Sequence, residues 1–420
     1  MLYSYNMAEE LPQKTEKHGK GENGMTEKKD AGIRRQRAAD RIGNTRRLYL
    51  IFPVGLVLAV ILYLSVTGLG RGQYRKALLD ADARLPEVRE NAEFYNALTA
   101  REQTVFRAME DAADACAEET AVIPFVPEEK EFRSALDALI YEHPEDVALE
   151  PSAFVLLSSE ETAAVRMAYR EDADTLRGKT DALIDRILSG NSADTDEGTA
   201  LFLHDALASL AVCADGTEEN IGTNAYDALT GVPSDSRAYA LAYALLCSRA
   251  GLSCVPVTGY GNGQKHVWNE VRTEESVFYT DVFWDDTARP DVALPFHGYY
   301  GLSRAEIEKD HAFETAVSDI SGDTHADYYE ADGLYAGPDG LPALLGTLLN
   351  DARCTGRGVI EFRCAEELSE DSLSVLLAVA VRTVNTDGAG PLLRPECRIY
   401  RASRTRPCYT VQLFYETTGA

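Results

Sequence analysis

Between residues 71 and 118, apolar side chains recur at three- and four-residue steps. Leu78, Leu79, Leu85, Val88, Phe94, Leu98, Val105 and Phe106 carry the pattern, which predicts helix interrupted near Pro86. Residues 122–127, with two prolines, read as a boundary. A short amphipathic helix is expected at 132–141, then two strand-like runs at 154–157 and 163–169. The second run alternates, with Val165, Met167 and Tyr169 on one face. Helices are predicted at 181–188 and 199–210, separated by a polar loop at 190–198. Another runs over 236–249 and ends at Gly251, a C-cap position. Period-two segments follow at 253–259, 265–273 and 277–284, then helix at 301–311. The last part of the chain shows a strand at 358–363, a helix at 369–382 and strands at 396–401 and 408–416, with a loop at 387–391. No repeat of 20–50 residues interrupts this order.

One segment has neither period. Residues 48–69 form a run of 22 residues without a charge. As a helix it would rise roughly 33 Å, enough to cross a bilayer core. Tyr49 and Tyr63 are placed for the interfaces, and Pro53 lies near one end, where a helix tolerates it. A cleaved signal peptide would have a shorter apolar stretch, of about 7–15 residues, and a small-x-small site. Ser65-Val66-Thr67 is a poor version of that site, so the run reads as an uncleaved anchor.

Charge gives that anchor a direction. The chain of 420 residues carries 41 Lys and Arg against 68 Asp and Glu, a net of −27. Residues 1–47 hold 11 basic and 7 acidic side chains, a net of +4, while residues 71–420 hold 30 and 61, a net of −31. Arg34, Arg35, Arg37, Arg41, Arg46 and Arg47 crowd one flank of the apolar run. Arginine on the cytoplasmic flank predicts a cytoplasmic head and an extracytoplasmic acidic body. At 45% hydrophobic and 26% charged the composition is that of a folded protein. The acidic balance argues against nucleic acid as a partner, since phosphate binding needs a basic footprint. Eight scattered cysteines form no C-x-x-C, and His204, His297, His311 and His325 show no paired ligand spacing. No metal or cofactor is expected.

Three segments carry the chemistry. Ser236 opens the helix predicted over 236–249, with Ser234 or Asp235 as its N-cap. His266, Trp268 and Asn269 lie on one strand. Asp281 and Trp284 lie on the next, followed by Asp285 and Asp286, which read as a turn and helix cap. A hairpin can bring His266 and Asp281 within about 5 Å, so that the carboxylate fixes the imidazole tautomer. The helix N-terminus favours a nucleophile's anion or an oxyanion. Taken singly, these residues are unremarkable, since a lone His before Trp in a strand is ordinarily a core residue. Their order and spacing carry the signal.

The combination of Tyr239-Ala240, Gly251, His266-Val-Trp-Asn269 and Tyr279-Thr-Asp281-Val-Phe-Trp-Asp-Asp286 resembles the bacterial transglutaminase-like superfamily, which shares its papain-like fold with peptide N-glycanases. Further similar text stands at Tyr141-Glu-His-Pro144, Asn224-Ala-Tyr-Asp-Ala-Leu229, Lys309-Asp-His311, Asp327-Tyr-Tyr and Gly333-Leu-Tyr335. The resemblance covers residues 128–420. It implies an α+β fold with a papain-like transglutaminase-like core and a catalytic triad.

One position departs. Counting from Tyr239, the family's nucleophilic Cys falls on Ser236, so the implied triad is Ser236, His266 and Asp281, with Trp268, Asn269 and Trp284 as cleft-lining candidates. Cys247 lies on the same helix roughly 16 Å further on, and Cys254 starts the following strand; neither is placed to substitute. A thiol is partly ionised near neutrality, whereas an alcohol depends wholly on its base. The leading expectation is therefore a membrane-anchored, non-catalytic module whose cleft holds a peptide, protein or cell-wall ligand. The alternative is a serine-based amidase or acyl transferase; a third is a structural surface protein that meets partners through its acidic face. The expected organisation is a basic tail (1–47), a transmembrane helix (48–69), a helical stalk (71–127), a transglutaminase-like domain (128–330) and a C-terminal α/β unit (331–420).

Overall fold

The computed structural model describes residues 85–214, 217–218, 220–273, 276–287, 296–314, 327–386 and 391–416. The basic head, the apolar run at 48–69, His325 and most of the loop at 387–391 lie outside the described residues. Among those described, no helix is long and apolar enough to cross a membrane.

An N-terminal layer is built from α1 (Glu93–Ala97), α2 (Ala100–Asp114), α3 (Glu129–Glu142) and a hairpin of β1 (Val155–Ser158) with β2 (Ala163–Arg166). Thr99 and Glu102 form a reciprocal capping box at the start of α2. Glu142, at the end of α3, accepts the backbone N–H groups of Phe94 and Tyr95 at 2.6 and 3.0 Å, which satisfies two orphan donors at the start of α1. The proline-rich run expected as a boundary instead packs into this layer. Ile123 exchanges backbone hydrogen bonds with Ala163, and Ile123 and Phe125 share a core with Val105, Phe106, Ala135 and Val165. That core takes residues from both sides of the division expected at 127.

The central layer begins with α4 (Ala173–Leu188) and α5 (Asp196–Leu210). The short pair of β3 (Val212–Cys213) and β4 (Pro233–Ser234) follows, with α6 (Ala225–Leu229) between them, and then α7 (Ser236–Ala250). Every residue of α7 from Ala238 to Cys247 is buried, so this helix is surrounded on all sides. Gly251 ends it at φ 86°, a left-handed cap open to glycine without steric cost. Against α7 lies an antiparallel sheet of β5 (Ser253–Gly261), β6 (Gln264–Arg272) and β7 (Val277–Thr280). The chain continues through α8 (Val282–Thr287) and α9 (Arg304–Ile307) into β8 (His311–Phe313), and the spatial order is β7-β6-β5-β8. The helix expected over 301–311 is thus one turn followed by a strand.

The C-terminal part contains α10 (Tyr328–Ala331), β9 (Tyr335–Ala336), α11 (Leu341–Thr355), β10 (Val359–Cys364), α12 (Glu370–Thr386), β11 (Leu393–Arg401) and β12 (Cys408–Tyr415). Its sheet order is β11-β12-β10-β9. Helix α11 has no counterpart in the sequence-based expectation, although Leu341, Leu345, Leu349 and Ala352 line its buried face. Pro342 at its first turn and Gly346 in its interior blur the helical signal. This part is pressed onto the central layer: a Cβ added to Gly298 would stand 1.9 Å from the Ala402 carbonyl oxygen. Buried Arg406 also reaches across to Glu306, while pairing with Asp327 within its own part. The protein is α+β, with helices and mostly antiparallel sheets in three contacting layers.

A histidine between two carboxylates sets a pH dependence. His143, at the end of α3, lies between Glu145 and Glu110, each at 3.2 Å. Burial opposes its charge, but the neighbouring carboxylates outweigh this and raise its pKa from 6.5 to about 9. A raised folded pKa stabilises fully below about 6.5, and the contribution is lost as pH rises through about 9. Urea denaturation across that window should show declining stability, and His143→Gln should flatten the decline; an unchanged slope in the variant would exclude His143 as its source.

Candidate active site

The segment 277–284, expected as one alternating strand, stops pairing at Thr280. Asp281 then accepts the backbone N–H of Trp284 at 3.1 Å through Oδ1, so it caps α8. This turn, rather than direct cross-strand pairing, brings the charges together. Asn269 pairs with Thr280 in the β6–β7 register, so His266 lies beyond the last paired position. The other Asp281 oxygen, Oδ2, is 2.6 Å from His266 Nε2 and 3.2 Å from His311 Nε2. His311 in turn holds Asp310 through Nδ1 at 2.7 Å. Burial opposes the Asp281 charge, but His266 and His311 outweigh it and hold this carboxyl well below the usual carboxylate range. Burial likewise disfavours charge on His311, and Asp281 and Asp310 more than compensate, raising its pKa.

Ser236 is the first residue of α7, behind Asp235, whose Oδ1 accepts from the Ala238 N–H at 2.9 Å and is the true N-cap. The half-buried Ser236 Oγ accepts the Val267 N–H at 3.3 Å. The hydroxyl therefore sits beside the residue that follows His266. Among the described residues no hydrogen bond joins Ser236 to the His266 ring, and His266 Nδ1 has no hydrogen-bond partner. With Nε2 committed to Asp281, Nδ1 is the nitrogen left to serve a nucleophile.

The three expected cleft-lining residues are buried. Asn269 donates from Nδ2 to the Ala240 carbonyl at 2.9 Å and so ties β6 to α7. Trp268 and Trp284 flank the histidines, with the Trp284 ring centroid 5.0 Å from His266 and 4.3 Å from His311. Cys247 is fully buried within α7, and burial pushes up the thiol pKa of its neighbour Cys254. A cleft of about 680 Å³ opens between the N-terminal layer and the C-terminal half of α7, lined by Phe94, Tyr141, Arg177, Leu245, Arg249 and Pro256. It contains none of the triad residues.

Sequence reasoning missed His311 as a partner of Asp281. Its only signal is the Lys309-Asp-His311 text, whose role requires β8 to return beside β5. It also left His204 and His297 unpaired, whereas their rings meet at 5.3 Å between centroids. Asp285 and Asp286, expected as a turn and cap, are buried hydrogen-bond acceptors. Asp285 takes the Tyr299 N–H at 2.9 Å and faces His204, and Asp286 accepts from the Tyr239 hydroxyl.

No protein-family model matches the chain, and no curated protein matches it.

The Asp281 arrangement makes a stability prediction that does not depend on any activity. Asp281→Asn leaves two buried imidazoles without their shared counter-charge. Chemical denaturation should show a loss of about 3–5 kcal/mol, the usual cost of breaking a buried pair. A loss below about 1 kcal/mol would mean that Asp281 does not hold the site together.

Proposed function

We propose that this protein is a membrane-anchored, transglutaminase-like module whose active-site nucleophile has been replaced, and that it holds a peptide, protein or cell-wall ligand rather than cleaving it. The observation that carries this reading is the pairing at the site. The His266–Asp281 pair is intact at 2.6 Å, while the Ser236 hydroxyl accepts a backbone N–H and makes no hydrogen bond to the imidazole. An imidazole next to a thiol can hold it as an ion pair before any substrate arrives. A hydroxyl gains nucleophilicity only if its proton is already aimed at the base. In this reading residues 128–330 are the transglutaminase-like core, residues 48–69 the anchor, and the acidic body lies outside the membrane.

The His266–Asp281 pair is also what a serine hydrolase would need, which keeps the serine-based amidase or acyl transferase as the competing reading. A fluorophosphonate probe on the full chain separates the two. Ser236 should remain unlabelled, and labelling that disappears in His266→Ala would establish the hydrolase instead. In Ser236→Cys, the new thiol should alkylate at neutral pH at least about tenfold faster than in the Ser236→Cys/His266→Ala pair, because the imidazole favours the thiolate. An inert thiol would remove the transglutaminase-like reading of the site.

Topology has its own test. Cys116 and Cys354 are exposed free thiols on the body. A membrane-impermeant maleimide added to intact cells should label them. Labelling only after lysis would place the body in the cytoplasm and overturn the proposed orientation.

A further inference from the structure

The second histidine cluster lies at the junction of the central layer and the C-terminal part. His204, in the interior of α5, is fully buried, and His297, in the segment after α8, is almost so. Each turns one ring nitrogen toward the same oxygen, Asp205 Oδ1: His204 Nδ1 at 3.1 Å and His297 Nε2 at 2.8 Å. Each gives its other nitrogen to a second carboxylate. His204 Nε2 is 3.1 Å from Asp285 Oδ2, and His297 Nδ1 is 2.7 Å from Glu361 Oε2. Glu361 stands on β10 and accepts the Thr410 hydroxyl of β12 at 3.1 Å.

This order is that of a metal centre with its outer shell. Metal-binding histidines ordinarily commit the nitrogen away from the ion to a carboxylate or carbonyl, which fixes the tautomer. The three inner atoms all lie within 4.8 Å of one another. In a tetrahedral zinc site, with bonds of about 2.0–2.1 Å, neighbouring ligand atoms stand roughly 3.3 Å apart, so the two contacts to Asp205 Oδ1 need to open by only a few tenths of an ångström. The Asp205 side chain is 38% exposed, which leaves a side open for a water as fourth ligand.

The other histidine pair is a poorer candidate. His266, Asp281 and His311 also converge, but all three are buried, Trp268 and Trp284 pack on the rings, and no carboxylate bonds His266 Nδ1. Imidazole donors also select against calcium and magnesium, which prefer oxygen ligands.

We propose that His204, Asp205 and His297 form a binding site for a divalent transition metal of the zinc class, oriented by Asp285 and Glu361, which clamps the C-terminal part onto the central layer. The site is independent of Ser236 and of the ligand-holding role proposed above.

Co2+ titrated into the chelator-treated, detergent-solubilised full chain tests this. The expected result is one equivalent bound, with the visible bands of four-coordinate cobalt, displaced by Zn2+. His204→Gln and His297→Gln should each abolish the bands. Glu361→Gln keeps all three ligands and should weaken binding about 10–100-fold, the usual effect of losing an outer-shell partner. Asp205→Asn, at a half-exposed position, should keep its circular dichroism and still bind at least about tenfold more weakly. Absence of binding to the wild type would overturn the proposal. So would wild-type affinity in folded Asp205→Asn, or bands that survive in His297→Gln and vanish in His311→Gln.

Discussion

A single buried carboxylate organises the candidate site. Asp281 is taken out of water, at a cost that only paired charge and hydrogen bonds can offset. It obtains both: two imidazoles on one oxygen and the Trp284 N–H on the other. Three consequences follow. Strand β7 must end at Thr280, because the cap starts α8. Strand β8 must return beside β5, because His311 has to reach the same oxygen. The His266 ring is left with Nδ1 for any other partner, because Nε2 is already committed. The sheet, the short helix and the aromatic walls of Trp268 and Trp284 are arranged around that requirement.

Ser236 stands beside this frame. Ser236 is the first residue of α7, a helix buried from Ala238 to Cys247 and capped by Asp235, and is held beside β6 through the Val267 N–H. Among the described residues it makes no hydrogen bond to the His266 imidazole. The Asp281 pairing stabilises the fold independently of any chemistry at Ser236. Removing Asp281 would cost stability whether or not a reaction takes place.

The same principle recurs at the layer junction. His204, Asp205 and His297 are ordered by carboxylates drawn from α8 and from β10, so that the C-terminal part contributes a residue to a cluster centred in the central layer. The close approach of Gly298 to Ala402 and the Arg406 pairs bring the backbones near enough for Glu361 to reach His297. Buried titratable groups thus join the layers as well as apolar contacts do.

The sequence by itself determined the elements whose signals are local. Helix α7 was legible from its apolar run and Gly251, the β5–β6–β7 meander from alternation, and the β1–β2 hairpin from two short apolar runs. His266 and Asp281 could be singled out because a hairpin of those elements places them side by side, and Ser236 because the resemblance to the transglutaminase-like superfamily puts a nucleophile there. Helix α11 was hidden by Pro342 and Gly346, and the end of β7 at Thr280 was hidden because Asp281 continues the alternation of apolar neighbours. Only the tertiary structure decided that His311 shares Asp281, that His204 meets His297, that Asp285 is buried, and that residues 122–127 belong inside the N-terminal layer. Each of these depends on contacts between segments far apart in the chain. Periodicity reports which face of an element is buried, but which charged groups meet there is set by how the layers close.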